Sequence, residues 1–316
     1  MEKNAKIYVS GHRGMLGSAM MRRLEADGYT NIITRTHKEL DLTRQADVEG
    51  FFAKEAPEYV FLAAAKVGGI MAMSAQPVEF LSENLRIQCN VIDAAHKYQT
   101  KKLIFISSAS AYPVAALQPI KEEYILTGEV DPSGEGYSVA KIAGIRCCAY
   151  YQEEYGSKFL AVVPANIYGP NGIFDRKFSH VIPAMIRRFH SAKVHNRKEV
   201  VIWGSGNARR ELIYVSDVAD ACIHLMKNDT DNSCYNIGYG SDLSMMESAE
   251  TVKQVVGFDG IILCDSTKPE GAMKRLLDSS RMNQTGWYPK INFEQGIKLT
   301  YQWFLKNIED KDELYL

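Results

Sequence analysis

Three glycines at intervals of three residues follow a short apolar run near the N-terminus. The run at 5–10 predicts a strand, Gly11, Gly14 and Gly17 follow it, and an apolar-periodic segment after them predicts a helix. A glycine turn between strand and helix forms a cradle for a pyrophosphate, because small residues let the backbone approach and free amide groups face the phosphates. The spacing differs from the commoner G-x-G-x-x-G, so the flanking strand and helix carry the prediction of a dinucleotide-binding fold.

Strands and helices alternate through the first half of the chain. Besides the first strand, apolar runs at 31–34, 59–62, 103–107 and 159–163 predict strands, and 79–98 predicts a long helix. Connections of this kind are right-handed and build a parallel sheet with helices on both faces. The predicted fold class is therefore α/β, with a doubly wound parallel sheet of the Rossmann type.

The pattern changes after residue 165, where short apolar strands mix with helices and where glycine and proline become frequent. This change predicts a smaller α+β domain that binds the substrate. The expected division is a dinucleotide-binding domain at 1–165 and a substrate-binding domain at 166–316. The segment 213–238 is expected to pack back onto the first domain, and no flexible linker marks the boundary.

The second predicted strand ends in a basic residue. Arg35 stands where NAD-binding folds carry an acidic side chain that binds the ribose 2′-hydroxyl. Arg13 and His37 add positive charge to the same region, where a 2′-phosphate would lie. The sequence therefore predicts NADP(H) rather than NAD(H) as the cofactor.

Hydroxyl side chains close the strand at 103–107, with Ser108 and Ser110 directly after it. Parallel strands deliver functional groups at their carboxyl ends, where the ligands of open α/β sheets bind. A serine at such a place can hydrogen-bond a substrate carbonyl, or it can bond only the local backbone.

Tyr137 and Lys141 are four residues apart on a predicted helix, so the phenol and the ammonium group point at the same space. A free tyrosine titrates near pH 10, and a fixed lysine charge nearby favours the phenolate. We therefore expect this pair to transfer protons at neutral pH. The spacing alone also occurs as a surface pair, but the order Ser, Tyr, Lys after a glycine cradle favours a reaction centre.

Composition indicates a soluble cytoplasmic enzyme. The formal net charge is −1 and 46% of the 316 residues are hydrophobic, which predicts no nucleic-acid or membrane partner. No apolar run is long enough to span a bilayer, and the N-terminus lacks a signal-peptide core. The 6 cysteines form no C-x-x-C pair and have no histidines at metal spacing. We expect buried thiols in a reducing compartment, and no metal.

Longer motifs extend the pattern along nearly the whole chain. They are Gly11–Ser18, Leu62–Ile70, Lys141–Ile145, Asn166–Pro170, Ser179–Ala184, Arg187–His190, Trp203–Gly206, Arg209–Glu211, Leu276–Asp278 and Thr300–Phe304. On these motifs the chain resembles the extended short-chain dehydrogenase/reductase family, and within it the branch that makes GDP-L-fucose. The resemblance implies epimerisation of GDP-4-keto-6-deoxy-D-mannose at C3 and C5, followed by reduction of the C4 ketone with NADPH.

The same resemblance implies roles for individual residues. The implied catalytic groups are Ser108, Tyr137 and Lys141 for reduction, with His180 and Ser110 at the two positions of the epimerase acid/base pair. The implied NADP(H) contacts are Gly11, Arg13, Gly14, Met15, Leu16, Gly17, Arg35, His37, Asp41, Leu42, Ala63, Ala64, Ala65, Ile106, Lys141, Pro164, Asn166, Ile167 and His180. The implied contacts with the GDP-linked sugar are Ser108, Ser110, Asn166, Arg188, Trp203, Arg210 and Glu270.

Ser110 departs from the family pattern, which has a cysteine at this position. A hydroxyl is a far poorer base than a thiolate, whose pKa starts near 8.5. Three interpretations follow: a reductase without epimerase activity, acting for example on a GDP-6-deoxy-4-keto-heptose; a weakened bifunctional enzyme; or a serine introduced in place of the cysteine.

Two other functions are alternatives to this prediction: a non-catalytic sensor and a UDP-sugar enzyme. A non-catalytic NADP-binding sensor fits poorly, because Ser108, Tyr137 and Lys141 are all present. UDP-sugar 4-epimerases and 4,6-dehydratases usually carry an acidic residue where this chain has Arg35. By resemblance we expect a homodimer through the helices at 84–98 and 137–155.

Overall fold

The structure is a computed structural model that describes residues 1–175, 179–229, 231–268 and 271–309. Its strands are β1 (Ile7–Ser10), β2 (Ile32–Ile33), β3 (Tyr59–Leu62), β4 (Lys102–Ile106), β5 (Phe159–Pro164), β6 (Asn166–Tyr168), β7 (Glu199–Trp203), β8 (Arg209–Tyr214), β9 (Cys234–Ile237), β10 (Asp242–Ser244), β11 (Ile261–Asp265) and β12 (Lys274–Arg275). Its helices are α1 (Met15–Ala26), α2 (Gln45–Glu55), α3 (Ile70–Ala75), α4 (Pro77–Lys97), α5 (Glu135–Tyr155), α6 (Val181–Val194), α7 (Val215–Lys227), α8 (Met245–Val256), α9 (Ser280–Gln284) and α10 (Phe293–Asn307).

A six-stranded sheet in the order β2-β1-β3-β4-β5-β9 forms the centre of the fold. All of its strand pairs are parallel. Helix α1 packs against α7, and α4 packs against α2 and α5, so two helical layers cover the sheet. This arrangement confirms the predicted doubly wound α/β fold.

The inner strands are mostly apolar because helices cover both faces of the sheet. Every residue of β1, β4 and β5 is buried. Strand β2 is different: it spans only two half-buried isoleucines, where the sequence predicted a strand at 31–34. It lies at the sheet edge with β1 as its one neighbour, which explains its partial burial.

A second hydrophobic cluster follows residue 165. Strand β8 pairs with β6, β10 and β12, while β7 pairs with β11 in a separate parallel pair. Helices α6, α8 and α10 pack around these strands, with a core that includes Phe189, Ile202, Leu212, Val252 and Phe304. The domain boundary at 165 stays a prediction, since β5 ends at Pro164 and β6 begins at Asn166.

The chain returns to the first sheet between these elements. Helix α7 packs on α1, and β9 pairs with β5 through the register Ala161↔Cys234. No helix in the four described ranges is long and apolar enough to cross a membrane.

The six cysteines are free, but their predicted burial is partly wrong. Cys148, Cys222 and Cys234 are buried, whereas Cys89 and Cys264 are exposed. Cys89 lies on a helix whose neighbours Gln88 and Val91 face the interior, so periodicity turns it outward. Cys264 lies on β11, which has β7 as its one partner and is exposed along much of its length.

Two glycines in helices offer a matched stability test. A Cβ at Gly17 would lie 2.1 Å from the Gly11 carbonyl oxygen, whereas a Cβ at Gly50 in α2 would meet nothing within 4 Å. We expect Gly17→Ala to lower the free energy of unfolding by roughly 1–3 kcal/mol through overpacking. We expect Gly50→Ala to raise it by about 0.5–1 kcal/mol. Urea unfolding of both variants tests this, and equal effects would contradict the tight packing of the glycine turn.

Candidate active site

The carboxyl edge of the central sheet gathers most of the predicted cofactor residues. The parallel registers Ser10↔Leu62, Leu62↔Phe105 and Ile106↔Val162 align the ends of β1, β3, β4 and β5. The predicted residues at this edge are Gly11–Gly17 after β1, Arg35, His37, Asp41 and Leu42 after β2, Ala63–Ala65 after β3, Ile106–Ser110 at the end of β4, and Pro164–Ile167 at the end of β5. This is where open α/β sheets bind their ligands.

The glycine turn is tight enough to exclude other residues. Gly11 has φ +71, and a Cβ there would lie 2.8 Å from the Ala64 backbone nitrogen. Gly14 is the N-cap of α1 and supplies no side-chain cap, and the first turn of the helix carries no acidic residue. Free amide groups and a side-chain-free surface at a helix N-terminus fit the pyrophosphate of a dinucleotide.

The basic residues after β2 form a mixed charge cluster. Arg35 donates to a Glu55 carboxylate oxygen at 2.8 Å, so part of its positive charge is already compensated. Arg13 is exposed, and hydrogen bonds from Thr36, followed by the charges of Arg35 and Arg13, lower the pKa of Glu39. Arg35 and Arg13 therefore flank the same carboxylate, although Arg35 is less available than its sequence position predicted.

Two further predicted cofactor residues lie beside this cluster. The Nδ1 of His37, which is 80% exposed, lies 3.9 Å from an Asp41 oxygen. Both the backbone and the hydroxyl of Thr43 donate to Asp41, and these hydrogen bonds lower the pKa of its carboxyl group. Asp41 is therefore held as a carboxylate within reach of an exposed imidazole.

Ser108 and Ser110 belong to one short helical turn. A 3-10 helix spans Ala109–Ala111, and Ser108 is its N-cap with a side chain that accepts from the Ser110 amide. The Ser110 hydroxyl lies 3.1 Å from the Ser108 hydroxyl. From outside the turn, Arg275 of β12 donates to the Ala109 carbonyl oxygen at 2.6 Å. The structure thus brings both predicted serines together at the end of β4.

Tyr137 and Lys141 lie on α5 above the same strand end. The Lys141 ammonium group lies 5.6 Å from the Tyr137 ring centroid and donates to the Ile106 carbonyl oxygen at 2.8 Å. The Phe80 ring packs edge-on against the Tyr137 ring with centroids 6.2 Å apart. The Ser108 hydroxyl lies close enough to the Tyr137 phenol to act on its pKa, so the structure places the predicted Ser, Tyr and Lys in one group.

The predicted phenolate is wrong for this state of the protein. Burial raises the pKa of Tyr137 to about 12, and the hydrogen bond with Ser108 opposes that rise only in part. Burial also lowers the pKa of Lys141 to about 7, so its charge is weak where the sequence expected it to be fixed. Tyr137 is therefore protonated at neutral pH, which suits a proton donor.

His180 is the N-cap residue of α6. Desolvation by the surrounding protein lowers its pKa, so the neutral imidazole predominates at pH 7. Within the described part of the chain, no hydrogen bond or ring contact joins His180 to Ser108 or Tyr137. Its place in the reaction centre stays a prediction.

The other predicted substrate contacts in the described residues lie on α6, β6, β7 and β8. Arg188 of α6 donates to the Val201 carbonyl oxygen at 2.6 Å, which places it beside Trp203, a side chain that is 48% exposed. Arg210 lies opposite Arg275 in the β8–β12 register. Asn166, the first residue of β6, donates from its side chain to the Glu211 carbonyl oxygen at 3.1 Å. Glu270 lies outside the described residues.

Sequence reasoning missed two residues that hold this site. Arg275 reaches the serine turn from a strand 166 positions along the chain, and nothing in its local sequence marks that contact. Glu211 is buried and accepts from the Gly240 and Leu277 amides, each at 2.8 Å. Burial raises the pKa of Glu211 to about 7, against the opposing effect of those hydrogen bonds. A carboxylate directly before the apolar residues of β8 was the local signal of this role.

Comparison with known proteins shows the family to which this chain belongs. The family described as "NAD dependent epimerase/dehydratase family" matches residues 7–238. GDP-L-fucose synthase 1 of Arabidopsis thaliana is 49% identical over 97% of this chain and 95% of that protein. GDP-L-fucose synthase of Escherichia coli (strain K12) is 44% identical over 96% of this chain and 97% of that protein.

Solved structures give the same result for the fold. A GDP-6-OMe-4-keto-L-xylo-heptose reductase from C. jejuni superposes with a TM-score of 0.92 at 37% identity, over 97% of this chain and 99% of that chain. The chain belongs to the NAD-dependent epimerase/dehydratase family and, within it, is a homologue of the GDP-L-fucose synthases.

The lowered pKa of Lys141 has a measurable consequence for stability. Between the folded pKa of about 7 and the value of 10.5 for a free lysine, the unfolded chain binds one more proton than the folded chain. The free energy of unfolding contributed by this group therefore rises as pH increases from about 7. We expect the stability difference between the parent and Lys141→Met to grow with pH in urea unfolding at pH 7 to 9. Parallel pH curves for the two proteins would contradict the burial of Lys141, and Lys54→Met, at an exposed position, is the control.

Proposed function

We propose that this protein uses NADPH to reduce the C4 ketone of a GDP-linked 4-keto-6-deoxy sugar. The observation that carries the proposal is the group of Ser108, Tyr137 and Lys141 at the end of β4, beside a glycine cradle. The 49% identity to a GDP-L-fucose synthase supports the same substrate class. A family that reduces keto sugars needs both a hydride source and a proton donor, and this edge of the sheet holds residues for each.

Different residues would bind the cofactor and supply the proton. Gly11–Gly17 would hold the pyrophosphate of NADPH, and Lys141 would hold the nicotinamide ribose. When bound, NADPH supplies the hydride for C4. Tyr137, protonated at neutral pH, donates its proton to O4 as negative charge develops there, and Ser108 provides a second hydrogen bond. Lys141 then lies close enough to favour the phenolate that remains.

Epimerisation at C3 and C5 needs further groups. A C4 ketone acidifies the hydrogens on both carbons, so a base can remove each of them and an acid can return it to the opposite face. His180, neutral at pH 7, suits one of these roles, while Ser110 is a poor base for the other. Ser110 therefore favours a second candidate function, a C4 reductase with weak or absent epimerase activity. The heptose reductase from C. jejuni supports this alternative.

The GDP end of the substrate would lie on Arg188, Trp203 and Arg210. Arg188 and Arg210 carry guanidinium groups suited to a pyrophosphate, and the exposed Trp203 ring offers a flat surface to the nucleotide. Gly271 lies next to Arg210, with a Cβ there 3.3 Å from its guanidinium. A side chain at position 271 would therefore crowd the guanidinium of Arg210.

A homodimer and a cytoplasmic location belong to the same proposal. Helices α4 and α5 pack side by side, and α5 exposes Val139, Tyr150 and Tyr155 at 43%, 52% and 57%. Exposed apolar and aromatic side chains on two parallel-running helices suit a self-complementary interface. The six free cysteines are in keeping with a reducing compartment.

The function is tested by NADPH oxidation with GDP-4-keto-6-deoxy-D-mannose. We expect the parent protein to oxidise NADPH, and Tyr137→Phe to slow hydride transfer by roughly 10² or more with NADPH binding intact, because the ring still packs while the proton is gone. Tyr288→Phe, at an exposed tyrosine, is the control. Unchanged oxidation in Tyr137→Phe would show that another group donates the proton. Deuterium incorporation at C3 and C5 without NADPH separates the bifunctional enzyme from the reductase.

The dimer is tested by sedimentation of the parent and two tyrosine variants. The protomer has a mass of 35.5 kDa, and we expect twice this value at micromolar concentration. Tyr150→Arg is expected to shift the protein toward the monomer, since it places a charge in the proposed interface. Tyr288→Arg, at a tyrosine of similar exposure elsewhere, should leave the mass unchanged. A monomeric parent would overturn the proposal.

A further inference from the structure

The hydroxyl of Ser108 is held by its neighbour two residues along the chain. Its oxygen accepts from the Ser110 backbone amide at 3.2 Å and lies 3.1 Å from the Ser110 hydroxyl. The Ser110 amide and hydroxyl therefore both contact one oxygen at the centre of the proposed reaction. The Tyr137 phenol lies beside that oxygen, close enough for Ser108 to act on its pKa.

The hydrogen-bonding capacity of a serine limits how these contacts can be arranged. A hydroxyl has one proton to donate and two lone pairs that accept. The amide of Ser110 can only donate, so it occupies one lone pair of Ser108. If Ser108 gives its single proton to Tyr137 or to a substrate oxygen, the Ser110 hydroxyl must donate to the second lone pair.

We propose that Ser110 is a positioning residue that fixes Ser108 as a hydrogen-bond donor, which points at O4 when the keto sugar is bound. With both lone pairs occupied, Ser108 has only its proton left to offer. The reacting oxygen then meets two donors, Ser108 and Tyr137, already oriented before the substrate arrives. After Tyr137 has given its proton to O4, the Ser108 proton can turn to the phenolate, and no further proton or electron is required.

The surrounding structure holds Ser110 in this geometry. The backbone of the turn is closed by the Ala111 amide on the Ser108 carbonyl oxygen at 3.0 Å. The Ala109 carbonyl oxygen accepts from both the Tyr112 amide, at 3.2 Å, and Arg275, at 2.6 Å. Both serines are half-buried, so they remain accessible from the cleft while the turn that carries them is fixed on two sides.

The chemistry of this role requires a hydroxyl at position 110. A thiol is a weak hydrogen-bond donor, so cysteine would leave the second lone pair of Ser108 poorly occupied. Threonine keeps the hydroxyl. The inference rests on the proposed reduction at C4, and it gives Ser110 a part in that step in place of a part in epimerisation.

A double-mutant cycle tests the proposal through NADPH oxidation in single turnovers with GDP-4-keto-6-deoxy-D-mannose. We expect Ser110→Ala to slow hydride transfer by roughly tenfold, the effect of losing one well-placed hydrogen bond. Ser110→Thr should restore most of the rate, and Ser110→Cys should lie between. In a Ser108→Ala background, Ser110→Ala should cause no further loss, because Ser110 acts through Ser108. Ser157→Ala, at a serine between α5 and β5 that contacts His96 of α4, is the control.

Two results would overturn the proposal. One is a double variant, Ser108→Ala with Ser110→Ala, whose loss of rate equals the product of the two single losses. That result would mean that the two serines act independently. The other is a loss of deuterium exchange at C3 and C5 in Ser110→Ala with unchanged reduction, which would assign Ser110 to epimerisation.

A second measurement separates this inference from the proposed function. Tyrosine labelled with ¹³C at Cζ gives a resonance for Tyr137 that Tyr137→Phe assigns by its disappearance. We expect Ser108→Ala and Ser110→Ala to move this resonance and Ser157→Ala to leave it in place, with no substrate present. A parent protein that oxidises no NADPH would overturn the function alone, whereas a resonance that ignores Ser110 would overturn the inference alone.

Discussion

The parallel hydrogen bonding of β1, β3, β4 and β5 is the constraint on which the rest of the site depends. Because these strands run in register, their carboxyl ends finish at one edge of the sheet. The glycine turn at 11–17, the alanines at 63–65 and the serine turn at 108–110 therefore lie side by side. Antiparallel pairing would have sent every second loop to the far side of the sheet. Helix α5 then adds Tyr137 and Lys141 over the end of β4.

The sequence predicted the features that depend on local pattern, and it failed where distant groups meet. Apolar runs and the glycine turn were enough for the central sheet, since burial on both faces leaves a local signature in β4 and β5. The pKa of Tyr137 was predicted in the wrong direction, because spacing shows that Lys141 is near but not that both groups are buried. The contact of Arg275 with Ala109 spans 166 positions and has no periodicity to reveal it.

The second half of the chain contacts the turn that carries Ser108 and Ser110, besides holding the proposed substrate-binding residues. Strand β12 places Arg275 on the serine turn, and its register partner on β8 is Arg210, which is proposed to bind the nucleotide. Glu211, the next residue of β8, binds the backbone at Gly240 and Leu277 and so fixes the loops on either side. The pair of strands β8 and β12 therefore connects the residues proposed to bind the nucleotide with the turn proposed to contact the sugar ketone.

The crowding at Gly17 also restricts how cofactor preference can be changed by design. Any side chain there would collide with the Gly11 carbonyl oxygen, and Gly11 itself is closed by Ala64. Substitutions at Gly11 or Gly17 are therefore expected to lower the free energy of unfolding before they change the choice of cofactor. Diversity is tolerated instead after β2, where Arg35 and His37 have solvent-exposed surface and an alternative partner such as Glu55. An NADH-dependent variant would therefore be sought at the edge strand, with the turn left untouched.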